Sequence, residues 1–183
     1  WTYGFPEIIG HEKIAGAQFV SNPGCYPTGF LGLVAPLIRA GLLPADWPYT
    51  VNAVSGYSGG GNALIERFGN EPDIAFRTYG LNLAHKHLPE MKLHAGLKHS
   101  VLFAPSVVPA HRGMIVEVPL HLGAMANNPA ADQLRNSLSE FYAGSAIVSV
   151  ADERFAIVSR LARQHFGPGD DRRGSQQPHF GER

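Results

Sequence analysis

Cysteine is nearly missing from this chain: Cys25 is the single example in 183 residues. One thiol makes no disulfide within the chain, which excludes the cross-linked framework of small secreted domains and suits a reducing, cytoplasmic setting. Charge is also scarce. Lys plus Arg is 15 and Asp plus Glu is 15, a net charge of zero from 16% of the residues. That balance gives no electrostatic case for nucleic acid or an anionic membrane as a partner. No apolar run approaches the ~18 residues of a membrane span. The opening Trp1-Thr2-Tyr3-Gly4 lacks the basic and apolar regions of a secretory signal. Dinucleotide and P-loop fingerprints are missing too, since no Gly-x-Gly-x-x-Gly or Gly-Lys-Ser/Thr occurs.

What is present is a moderately hydrophobic chain rich in loop formers, with 21 Gly, 14 Pro and nine His. Its length suits one substantial domain. Tyr3-Gly4-Phe5-Pro6-Glu7 reads as a turn into a brief helix. Residues 17–21 read as a strand. Thr28 is a fair N-cap for a helix to about residue 40, closed by Gly41, with Pro36 expected to kink or split it. Alternation over 49–55 predicts a strand, and 62–68 a short helix. A helix is expected over 89–97, and strands over 100–105 and 113–122. Pro119 argues that the second of these is an edge. Asn128-Pro129 opens an amphipathic helix to Tyr142 that turns Leu134, Leu138, Phe141 and Tyr142 inward. Residues 146–150 suggest one more strand. The composition then becomes polar and aperiodic, so 151–183 is expected to be a divergent, disordered tail. The fold class that follows is α+β: a mixed β-sheet with helices on one face.

Four segments carry chemistry. The first is Asn22-Pro23-Gly24-Cys25-Tyr26-Pro27-Thr28. A thiol at the entry to a helix faces unpaired backbone N–H groups and the positive end of the dipole, which favour the nucleophilic thiolate. The alternative is a small buried hydrophobe. The second is His85-Lys86-His87-Leu88-Pro89-Glu90-Met91. A cysteine nucleophile needs a base, and His titrates near neutrality. The two His alone fall short of the four ligands of a zinc site, and no spacing adds the rest, so no metal is expected. The third is Ser55-Gly56-Tyr57-Ser58-Gly59-Gly60-Gly61, a Gly-rich loop after a strand that can bring amides to an anion or simply flex. The fourth is Arg112-Gly113-Met114, where a guanidinium stands ready for carboxylate or phosphate, or for solvent.

In this order, with Tyr3-Gly4-Phe5-Pro6-Glu7 ahead of them, these segments resemble N-acetyl-gamma-glutamyl-phosphate reductase, in its shorter bacterial branch. The resemblance spans about residues 1–150. It implies the catalytic, dimerisation-type domain shared in form with the C-terminal domains of glyceraldehyde-3-phosphate and aspartate-semialdehyde dehydrogenases, here incomplete and without its dinucleotide-binding domain. It implies NADPH-dependent reduction of an acyl phosphate, N-acetyl-L-glutamyl 5-phosphate, in arginine biosynthesis. By resemblance, Cys25 forms the thioester and His87 is the acid–base. Ser55, Gly56, Ser58 and Gly59 lie near NADP(H), and Arg112, Glu90, His85 and Asn22 lie near substrate. A cytoplasmic homo-oligomer, dimer or tetramer, is implied as well.

The chain departs from the family at two points. Asn62 stands where Lys or Arg is usual, and nothing in 151–183 matches the closing Asp-Asn-Leu-x-Lys-Gly helix. This chain alone is therefore expected to be inactive. A sister dehydrogenase of aspartyl phosphate, a thiol acyltransferase or hydrolase, and a non-catalytic piece of the reductase stay open as alternatives.

Overall fold

A computed structural model describes residues 1–151; the expected tail over 151–183 lies, beyond its first residue, outside them. The chain begins with β1 (Thr2–Tyr3), α1 (Pro6–Ile9), α2 (His11–Ala15) and β2 (Val20–Ser21). Pro6 occupies the first turn of α1, where its missing N–H costs nothing. The two strands pair in parallel, Thr2 opposite Val20 and Tyr3 opposite Ser21. A methyl group on Gly4 would lie 2.8 Å from the Ser21 carbonyl oxygen, so glycine is required for this approach.

Helix α3 (Cys25–Arg39) is the spine of the domain. Phe30, Leu31, Val34 and Leu37 form its inward stripe and are buried. The helix starts four residues earlier than the Thr28 cap predicts. Gly24 is the N-cap, and Thr28 sends both its N–H and its hydroxyl back to the Gly24 carbonyl, at 3.0 and 2.9 Å. Pro27 is tolerated because N–H groups in a helix's first turn have no partner within the helix.

Nor does Pro36 split α3, which runs through it. Pro36 has no N–H for the carbonyl of Gly32, one turn back. The Tyr142 hydroxyl supplies that bond instead, donating to Gly32 O at 2.7 Å.

The remaining elements are β3 (Thr50–Gly56), α4 (Asn62–Asn70), β4 (Arg77–Thr78), α5 (Leu88–Ala95), β5 (Leu102–Val108), β6 (Met114–Glu117) and α6 (Ala131–Phe141). The order in the sheet is β4-β5-β3-β6. Strands β3 and β5 are parallel, with Val51 opposite Phe103 and Ala53 opposite Pro105. Strands β6 and β4 are antiparallel to their neighbours. The mixed sheet of an α+β domain is therefore as expected. Strand β6 is an edge and stops before Pro119.

Val51, Ala53 and Phe103 lie on the covered face, with Val116 in the same register. Helix α3 packs so closely on β6 that a methyl group on Gly29 would lie 2.7 Å from a Val116 methyl. Leu102 and Ile115 belong to the opposite pleat and are 50% and 54% exposed. Two details differ from expectation. Phe141 is 38% exposed while Tyr142 takes the buried place on α6. Residues 146–150 form no strand, because Ser145 Oγ captures the N–H groups of Ile147 and Val148, which a ladder would need.

Tyr142→Phe leaves the Gly32 carbonyl without a partner and should cost about 1–3 kcal/mol in thermal or urea unfolding. Pro36→Ala restores the missing N–H. The double mutant Pro36→Ala/Tyr142→Phe should then lose less than the sum of the single changes, a coupling that a double-mutant cycle measures directly.

Candidate active site

Cys25 is the first residue of α3, so its side chain stands among the unpaired amides of a helix start. Glu90 holds the peptide that leads into it. Its Oε1 accepts from the Gly24 N–H at 2.8 Å and from the Tyr3 hydroxyl at 2.6 Å. Glu90 itself lies in the first turn of α5, where a carboxylate is favoured by the dipole. Gly24 has φ −60° and ψ 149°, open to any residue. Its glycine is needed for space: an added methyl would lie 2.6 Å from His87 Nε2 and 3.0 Å from Glu90 Oε2. The His87 imidazole therefore sits against the residue that precedes the thiol. Its other nitrogen, Nδ1, is buried with no hydrogen-bond partner among the described residues.

His85 is fixed differently. Its Nδ1 accepts from the backbone N–H of His87 at 3.2 Å, so in the neutral ring the proton is on Nε2. The His85 ring is enclosed by His87, Phe103, Tyr79 and Tyr26, with centroids 4.7–6.0 Å away. Beneath it runs a chain of hydroxyls. Tyr26 donates to Ser55 Oγ at 2.9 Å, and the Tyr79 hydroxyl lies 2.8 Å from that of Tyr26. This chain ties the start of α3 to the end of β3 and to the loop before α5.

The titration of these groups differs from what the helix start alone suggests. Although Cys25 reaches solvent, burial of the sulfur is the largest influence on it, and burial pushes the thiol up. The amides of Tyr26 and Cys25 and the charge of Lys86 pull the other way, and Glu90 opposes them. His87 is pushed down by burial first, then by His85 and Lys86, against the Glu90 carboxylate. Burial and then Lys86 lower His85. Burial thus disfavours the charged form of both the thiol and the imidazole.

The structure brings Cys25, His85, His87, Glu90 and Ser55 together. Asn22 is exposed in the stretch between β2 and α3. The Gly-rich loop is partly spoken for: Gly56, Tyr57 and Ser58 donate their N–H groups to the carbonyls of Gly113, Ala110 and His111. Gly56 lies so close to the turn before β6 that a methyl would be 2.7 Å from Arg112 N. Ser58 is half-buried and Gly59 exposed, with open space around Gly59. Arg112 is exposed on the rim beside Gly56. The sequence reading assigned no role to Tyr3, Tyr26 or Tyr79. The signal for Tyr3 and Tyr26 was their place inside the motifs themselves, whereas Tyr79 lies ahead of the histidine motif.

Among the described residues no group of three or more His, Cys, Asp or Glu is placed to hold a metal ion. None of their helices is long and apolar enough to cross a membrane.

Because burial raises the Cys25 thiol, its thiolate fraction at neutral pH is below that of a free cysteine. Iodoacetamide alkylation of Cys25 should be slow at pH 7. It should rise along a titration centred above the free-cysteine value of about 8.5, as peptide mapping across pH will reveal.

The profile of the family described as semialdehyde dehydrogenase, dimerisation domain, matches residues 25–167. Among curated proteins, an N-acetyl-gamma-glutamyl-phosphate reductase of Trichormus variabilis is 48% identical over 161 residues, covering 82% of this chain and 50% of its own length. That of Rhizobium etli is 50% identical over 157 residues, covering 82% and 51%. That of Brucella ovis is 50% identical over 178 residues, covering 93% and 57%. The chain spans about half the length of the curated relatives it matches. With the family profile beginning at Cys25 and covering most of the chain, this protein belongs to the semialdehyde dehydrogenase dimerisation-domain family.

Proposed function

We propose that this chain carries the thiol chemistry of an acyl-phosphate reductase that converts N-acetyl-L-glutamyl 5-phosphate to N-acetyl-L-glutamate 5-semialdehyde and phosphate in arginine biosynthesis. The observation that carries the proposal is the seat of the His87 imidazole against Gly24, next to a cysteine that opens a helix. The names of the relatives support the substrate.

His87, neutral at rest, takes the Cys25 proton as the sulfur attacks the acyl carbon. The C–S bond forms, the C–O bond to phosphate breaks, and phosphate leaves with that electron pair and gains its proton from solvent. NADPH, when bound, supplies the hydride that reduces the thioester carbon. The imidazolium gives its proton to the carbonyl oxygen as charge builds there. It then takes that proton back as the C–S bond breaks, and returns it to the departing sulfur. The aldehyde is released with Cys25 and His87 as they began.

The open edge at Ser58 and Gly59 fits the reactive end of a nicotinamide dinucleotide, and Ser55 and Gly56 support that edge from within. The chain has no dinucleotide fingerprint, so the rest of the nucleotide is held by residues outside it. Arg112 and Asn22 are placed on the substrate's anionic and amide groups, with His85 offering its Nε2–H. The free thiol suits the cytoplasm. Self-association is part of the proposal, through the sheet face, open among the described residues, that carries Leu102 and Ile115.

The test uses the full-length enzyme containing this chain, followed by nucleotide oxidation and aldehyde formation. Cys25→Ser should lower kcat at least about a thousandfold, and His87→Asn about 10²–10⁴-fold. Turnover of a thioester without nucleotide would instead favour a thiol acyltransferase or hydrolase, and preference for aspartyl phosphate a sister dehydrogenase. Ile115→Glu puts a charge on the open face and should shift the protein toward monomer in light scattering, with the fold retained.

A further inference from the structure

We infer that Tyr3, more than 20 residues before the nucleophile, is a positioning residue for it, acting through Glu90 on the Gly24–Cys25 peptide. The inference rests on the reductase reading of the same site. Three observations carry it.

First, Glu90 Oε1 has two donors, Tyr3 Oη at 2.6 Å and Gly24 N at 2.8 Å. A carboxylate oxygen held from two directions is fixed in place, and it fixes the amide it accepts from. Second, Tyr3 is itself anchored. Its ring stacks on His94, with centroids 3.6 Å apart and planes at 15°. Its backbone lies opposite Ser21 in the β1–β2 pair. The same residue thus holds the approach to Cys25 at two points, Ser21 by the ladder and Gly24 through Glu90. Third, the freedom to absorb an error is small. Glu90 Oε2 and His87 Nε2 both crowd Gly24 closely enough that a methyl there would overlap the ring. A shift of the carboxylate is therefore passed to the thiol and to the imidazole together.

Burial and Glu90 keep the Tyr3 phenol protonated, so it remains a donor over the working pH range. Tyr3 reaches the Gly24–Cys25 peptide through Glu90 Oε1, which accepts from both.

Tyr3→Phe in the full-length enzyme tests this, because it keeps the ring on His94 and removes only the donor. We expect kcat to fall about tenfold with KM held within about twofold, the pattern of a misplaced reacting group. The melting temperature should stay near that of the parent. Without substrate, Cys25 alkylation at a fixed pH of 8 should slow several-fold, since a Glu90 carboxylate without its phenol partner bears more heavily on the thiolate. Unchanged kcat and unchanged alkylation would overturn the inference and leave Tyr3 a packing residue. A rise in KM at constant kcat would also overturn it, by placing the Tyr3–Glu90 pair on substrate. If the parent enzyme reduces no acyl phosphate, the functional reading fails by itself, and the alkylation comparison still decides the role of Tyr3.

Discussion

The site depends on a missing side chain. Gly24 leaves room for the His87 ring to lie against the backbone one residue before the thiol, where any Cβ would overlap it. Its backbone angles are ordinary, so the constraint is one of volume alone. Glu90 uses the same opening to reach the Gly24 amide. The thiol, the imidazole and the carboxylate are thus assembled around one small residue, from two parts of the chain.

That assembly needs a rigid helix under it, and α3 is rigid for a reason outside itself. A proline in its last turn removes a backbone bond, and Tyr142, just past the end of α6, replaces it. The Tyr26–Ser55–Tyr79 hydroxyls do the same service at the other end, fixing the start of α3 to β3 and to the histidine loop. The cost of this enclosure is electrostatic. Burial that orders the site also disfavours charge in it, raising the thiol and lowering both histidines.

Much of this was legible before any coordinates. The alternation over 49–55, the Pro-led start of α5 and the apolar stripe of α6 each carry their own local signal, and β3, α5 and α6 lie where those signals put them. Cys25 and the histidine pair each stand in a contiguous motif. The start of α3 was misread because Thr28 has the chemistry of a cap, while Cys25-Tyr26-Pro27 gives no helix signal of its own. Ser145 disguised a turn as a strand. The links that make the site were not legible for a different reason: Tyr3 and Glu90 are 87 residues apart, and Tyr142 and Gly32 are 110 apart. No periodicity connects residues at such distances. The shift of the Cys25 thiol likewise comes from what surrounds it in space, whereas its place at a helix start argues the other way.

The central claim is that Cys25 carries the acyl group. It is tested most directly by mixing the full-length enzyme with N-acetyl-L-glutamyl 5-phosphate in the absence of nucleotide, quenching in acid, and measuring released phosphate and protein mass together. One equivalent of phosphate released with an N-acetylglutamyl adduct on the Cys25 peptide, both lost in the Cys25→Ser enzyme, is the predicted result. Unmodified Cys25 in an enzyme that still reduces the acyl phosphate when nucleotide is added would contradict it.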